Sequence, residues 1–217
     1  MSDFALRRKM MVDTQVRPSD VTKFPIIDAM LRLPREEFVP DEKVEAAYVG
    51  ENLALDDRRV LLDPRALAKL LDALEISRSE LVLDIGCATG YSSALMQTMA
   101  QAVVALEEDE ELARAAEAAL ARTGAETVVL VNGPLCEGAP QHAPYDVIVV
   151  QGAIEEFPQA LVTQLREGGR VGAIFMQGAL GVARMGIRHG DQIAWRDIFN
   201  AAAPVLPGFE KEQAFSL

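Results

Sequence analysis

Asp84-Ile85-Gly86-Cys87-Ala88-Thr89-Gly90 sets a carboxylate beside closely spaced glycines, just after the apolar run Leu81-Val82-Leu83. Glycines where a strand gives way to a helix let the backbone turn tightly and let a ligand approach the main chain closely. The chemistry open to such a loop is the binding of a nucleotide-like cofactor.

Two details separate the candidate cofactors. A carboxylate at position 84 would repel a pyrophosphate lodged on the following helix N-terminus. It suits the cationic amino-acid portion of S-adenosylmethionine instead. The glycines also bracket Ala88 as G-x-A-x-G, whereas the dinucleotide fingerprint is G-x-G-x-x-G. The pattern therefore predicts a methyl-donor site. Glu107 ends the next apolar run, where its carboxylate can accept two hydrogen bonds from ribose hydroxyls. Glu108 adjoins it in the candidate site, while the acidic run through Glu111 suits a helix N-terminus.

The elements that must position these residues follow from the hydrophobic pattern. Strands are expected at Leu81–Ile85, Ala102–Leu106, Thr127–Val131, Val147–Val150 and Arg170–Met176. Helices are expected at Arg65–Leu74, Tyr91–Met99, Asp109–Arg122 and Glu156–Arg166, the last closing on Gly168-Gly169. Strands separated by single helices predict an α/β fold with a doubly wound, mostly parallel sheet covered on both faces. Ala183–Ile187 and Gln192–Phe199 flank His189-Gly190-Asp191 and predict a C-terminal antiparallel hairpin. Before Pro64 the chain is punctuated by Pro18, Pro25, Pro34 and Pro40, which limits helices to short pieces such as Phe24–Leu33. Residues 1–63 are read as a helical cap and loops, and 64–217 as the cofactor-binding domain.

Bulk properties narrow the function further. Half of the 217 residues are hydrophobic and the formal net charge is −12. An acidic chain without clustered Lys and Arg argues against nucleic acid as the main partner. There is no apolar run of membrane-spanning length, so no membrane partner is expected. The basic start lacks the apolar region and cleavage site of a secretory signal, and a cytoplasmic location is expected. Cys87 and Cys136 are too few for a disulfide framework and lack metal-ligand spacing. Cys87 is read as apolar filler or a backbone contributor, and His142 and His189 as exposed. No nucleophile–base pair or metal cluster is visible, so no metal is expected. Arg58, Arg59 and Arg65 could attract an anionic acceptor, although a solvated basic loop accounts for them as well.

The sequence resembles the protein-L-isoaspartate O-methyltransferase family. The resemblance rests on Met11-Val12-Asp13-Thr14-Gln15-Val16-Arg17-Pro18, Ala29-Met30, Pro34-Arg35-Glu36-Glu37-Phe38-Val39-Pro40 and Ala47-Tyr48 in the cap. In the core it rests on Val82–Tyr91, Glu107, Ala143–Val149 and Gln164–Arg170. It implies the S-adenosylmethionine-dependent (class I, Rossmann-like) methyltransferase fold. It also implies methyl transfer to the isoaspartyl carboxylate of a protein or peptide, the first step of protein repair. The donor site it implies comprises Asp84, Gly86, Cys87, Ala88, Thr89, Gly90, Glu107, Glu108 and Gly133.

Two family positions differ. A family Thr-Ile-Ser-Gln-Pro segment supplies a hydroxyl at the methyl-transfer site, whereas this chain has Val60-Leu61-Leu62-Asp63-Pro64, with Leu62 at the serine position. The catalytic residue is therefore left unassigned. A family Gly-Asp-Gly, whose aspartate faces the adenine, is here Gly133-Pro134-Leu135. A carboxylate is already nucleophilic and the donor's sulfonium is a good leaving group, so such an enzyme mainly aligns its reactants. Three readings stay open: the family's isoaspartyl activity, the same fold with another acceptor, and a donor-binding module without repair activity. The oligomeric state and the role of the tail from Ala201 onward are not fixed by the sequence.

Overall fold

The computed structural model describes residues 3–211. Seven strands form one sheet: β3 (Leu81–Ile85), β4 (Ala102–Glu107), β5 (Val129–Asn132), β6 (Tyr145–Ile154), β7 (Leu165–Gln177), β8 (Leu180–His189) and β9 (Gln192–Asn200), in the order β5-β4-β3-β6-β7-β8-β9. The first five pair in parallel, and β8 runs antiparallel to both its neighbours. The expected doubly wound sheet with a C-terminal hairpin is thus present, with β7, β8 and β9 forming a meander. A small separate hairpin, β1 (Leu53–Ala54) and β2 (Val60–Leu61), precedes the sheet.

The parallel strands read as nearly continuous apolar runs because both faces are covered. Val82, Val103, Ala105, Val147 and Val149 enter one hydrophobic cluster. Their neighbours Leu83, Val104, Leu106, Ile148 and Val150 enter the other, as the two-residue period of a strand requires. On the first face lie α3 (Pro64–Leu74), α4 (Tyr91–Gln97), part of α5 (Glu110–Arg122) and the amino-terminal helices α1 (Asp3–Met11) and α2 (Phe24–Arg32). On the second lie α6 (Gln159–Gln164) and the C-terminal residues Leu206 and Phe209.

Local chemistry explains most boundaries. Asp63 caps α3 through the Ala66 N–H, with Pro64 in the first turn where it has no N–H to lose. Asp109 caps α5 through the Glu111 and Leu112 N–H groups. The expected helix over Glu156–Arg166 is shorter than its pattern, because it starts only after Pro158 and Leu165 already pairs with Tyr145 in the sheet. Gly168-Gly169 then falls within a register shift of β7 rather than at a helix end.

Candidate active site

The glycine loop connects β3 to α4 and is held by its own backbone. Gly86 and Gly90 have φ of +71° and +90°, values that a side chain would strain. Gly90 also lets α5 approach, since a Cβ there would stand 3.2 Å from Leu120 Cγ. The Gly86 and Cys87 N–H groups donate to Leu106 O at 2.9 and 3.2 Å, tying the loop to the end of β4. Ala88, itself at φ +51°, donates its N–H to Glu107 Oε2 at 2.8 Å. The two segments singled out in the sequence are thus joined directly.

Asp84 is fully buried at the end of β3. Its Oδ2 accepts from Ser92 Oγ at 2.6 Å and Ser93 Oγ at 2.5 Å, and its Oδ1 from Gln151 Nε2 at 2.7 Å. Burial pushes its carboxyl up to about 6, although the three donors pull the other way. Sequence reasoning missed all three partners. The serines sit in the first turn after the loop and could have been noticed, whereas Gln151 becomes visible only once β3 and β6 are paired.

Glu107 is also fully buried, and its carboxylate is heavily engaged. It accepts both terminal nitrogens of Arg59, at 2.9 and 2.5 Å, besides the backbone N–H groups of Ala88, Glu108 and Asp109. Arg59 is only 4% exposed. The solvated basic loop expected over Arg58, Arg59 and Arg65 is therefore corrected at Arg59, which is an internal counter-ion. Arg58 pairs instead with Glu210, and Arg65 lies over the Phe199 ring. Asp56 Oδ1 accepts the N–H groups of Arg58 and Arg59, shaping the turn that delivers the Arg59 side chain.

The other expected donor-site residues are distributed as follows. Cys87 is buried, and burial raises its thiol well above the ordinary value, so it is unsuited to nucleophilic chemistry. Thr89 donates its hydroxyl to Phe38 O at 2.5 Å, bolting the loop to the Pro34–Pro40 run. Glu108 is half-buried, and Gly133 donates its N–H to Glu107 O. Beside Glu108 and Asp109 opens a cleft of about 430 Å³ that also touches Asp56–Arg59 and Pro207.

Leu62 is 2% exposed and belongs to the hydrophobic cluster that takes in the amino-terminal helices. Its carbonyl accepts from Arg35 Nη2 at 2.8 Å, while Arg35 Nε donates to Ala47 O at 2.7 Å. The Arg35 guanidinium is buried 4.7 Å over the Tyr91 ring, and Tyr91 meets Phe38 edge-on. The Pro34–Pro40 run thus braces the glycine loop from outside, with Arg35 as its pin.

A doubly wound sheet whose first βα turn is a glycine loop beside a carboxylate-ended strand defines the class of S-adenosylmethionine-dependent methyltransferases. The family model for protein-L-isoaspartate(D-aspartate) O-methyltransferase matches residues 7–177, and the chain belongs to that family. The protein-L-isoaspartate O-methyltransferase of Koribacter versatilis is 36% identical over 171 residues, covering 79% of this chain and 77% of the relative. A solved protein-L-isoaspartate O-methyltransferase superposes with a TM-score of 0.82 at 26% identity, over 93% of this chain and 66% of that one. A Plasmodium falciparum structure described as a putative member in complex with S-adenosyl-L-homocysteine shares the fold, with a TM-score of 0.79 at 16% identity over 92% and 97% of the two chains. No helix among the described residues is long and apolar enough to cross a membrane.

Proposed function

We propose that the chain is an S-adenosylmethionine-dependent methyltransferase acting on the isoaspartyl carboxylate of a protein or peptide. The observation that carries this reading is the direct bond between the glycine loop and Glu107, which fixes the two donor-binding elements relative to one another. Family membership supports the same reaction. The cofactor contributes a methyl group activated on a sulfonium, and the protein's task is to bind and align it against the acceptor.

The residue types fit the donor, but the space they enclose does not fit it as folded. Arg59 occupies the Glu107 carboxylate that would meet ribose hydroxyls, and Leu206 lies against Gly86.

Leu62 favours a second reading, the same fold with another acceptor. It places no hydroxyl at the family's serine position, and its side chain is part of the core. Transfer of labelled methyl to an isoaspartyl peptide at saturating donor, against the same peptide with ordinary aspartate, tests the first reading. Incorporation only into the isoaspartyl peptide is expected; none above a Glu107→Gln background sinks it. Leu62→Ser is expected to lower stability by about 2–5 kcal/mol rather than to raise activity, since it opens a cavity in the core.

A further inference from the structure

The described C-terminal segment turns back over the carboxyl end of β6. Val205 bridges Ala153 in parallel, the Ala153 N–H donates to Pro204 O, and the Leu206 N–H donates to Ala153 O, both at 2.9 Å. The Glu155 and Glu156 N–H groups donate to Phe209 O. Leu206 and Phe209 are each 1% exposed. This is a packed segment with its own backbone pairing.

Leu206 lands on the glycines. A Cβ on Gly152 would stand 2.6 Å from Leu206 Cδ2, and one on Gly86 would stand 3.1 Å from Leu206 Cδ1 and 3.2 Å from Arg59 Nη2. The room that these glycines leave beside the main chain is therefore taken by two side chains of the same protein. One is apolar, and the other is a cation on the buried Glu107 carboxylate. Arg59 Nε is moreover buried without an acceptor, so this guanidinium is not fully satisfied where it lies. The two parts are linked, because Arg58, next to Arg59, pairs with Glu210 at 2.5 Å, four residues beyond Leu206.

We propose that Arg59 and Leu206 form a two-part internal plug over the glycine loop, and that donor binding requires both to be displaced. The proposal rests on the reading of Asp84–Gly90 and Glu107 as the donor site. Displacing Arg59 separates a buried ion pair, and lifting Leu206 exposes apolar surface. Both costs subtract from the donor's affinity, as for any ligand whose competent state is a minor population.

Calorimetric titration of the full-length chain with S-adenosyl-L-homocysteine, alongside Leu206→Ala and Arg59→Ala, tests this. Each variant should bind at least tenfold more tightly than the parent. A second readout needs only the parent. Cys136 Sγ lies against Gly208, where a Cβ would stand 2.8 Å from it, while Cys87 is buried. Saturating S-adenosyl-L-homocysteine should therefore speed alkylation of Cys136 by iodoacetamide several-fold. Parent binding as tight as the variants', or ligand binding that leaves Cys136 alkylation unchanged, overturns the plug and leaves the donor reading intact. Absence of binding in every folded form at millimolar ligand overturns both.

Discussion

Asp84 and Glu107 stand at the ends of adjacent parallel strands, both fully buried, yet they are stabilised in opposite ways. Asp84 is surrounded by neutral donors, the hydroxyls of Ser92 and Ser93 and the Gln151 amide. Glu107 has a formal counter-ion in Arg59 as well as three backbone donors. The difference gives the two strand-end carboxylates different work within the fold. Asp84 is a fastening that joins β3, α4 and β6, with a proton affinity raised by burial. Glu107 is a held negative charge whose partner is exchangeable in principle, since Arg59 arrives from a turn rather than from the sheet.

Breaking the Glu107 side should have the largest effect. Glu107→Gln keeps the shape but turns one of the two acceptor oxygens into an NH2 donor, so it loses backbone bonds on that side and leaves the buried guanidinium uncompensated. Unfolding in urea at pH 7 should show a loss of about 3–5 kcal/mol. A loss under about 1 kcal/mol would mean that Arg59 is solvated in solution.

Asp84 should respond to pH instead. Its folded value near 6 lies above the ordinary aspartate value of about 4. Below pH 4 the group is protonated in both states. Between pH 4 and 6 the unfolded chain releases a proton that the folded chain retains, so stability falls across that window and the loss is complete above it. Relative to Asp84→Asn, the parent should lose up to about 3 kcal/mol between pH 4 and pH 7. A difference between parent and variant that stays flat across this range would remove Asp84 as the titrating group.

The smallest effect belongs to the exposed counterpart of the buried pair. Arg58 and Glu210 have side chains 54% and 49% exposed, so Arg58→Ala should cost less than about 1 kcal/mol and the effect should fade in high salt. A loss from Arg58→Ala equal to that from Arg59→Ala would show that burial is not what makes the Arg59 pair costly to break.

Much of this was legible because it is local. The glycine loop and the strands around Val82, Val104 and Ile148 each follow from a few consecutive residues, since turns and apolar runs act over short distances. The helix over Glu156–Arg166 was overextended because β7 begins early: Leu165 pairs with Tyr145, a contact that helical periodicity does not encode. The Pro34–Pro40 run was conspicuous as a motif, but its role needed the buried contacts of Arg35 with Ala47, Leu62 and Tyr91.

By itself, then, the sequence determined the doubly wound fold, the placement of the glycine loop and the family. These depend on residue type and spacing along the chain. Only the tertiary structure decided what fills that loop. Arg59 and Leu206 lie far from Gly86 and Glu107 in sequence, and neither position carries a local signal of its destination. An ion pair and a side chain packed against a glycine arise only when the sheet register brings their partners to one strand end.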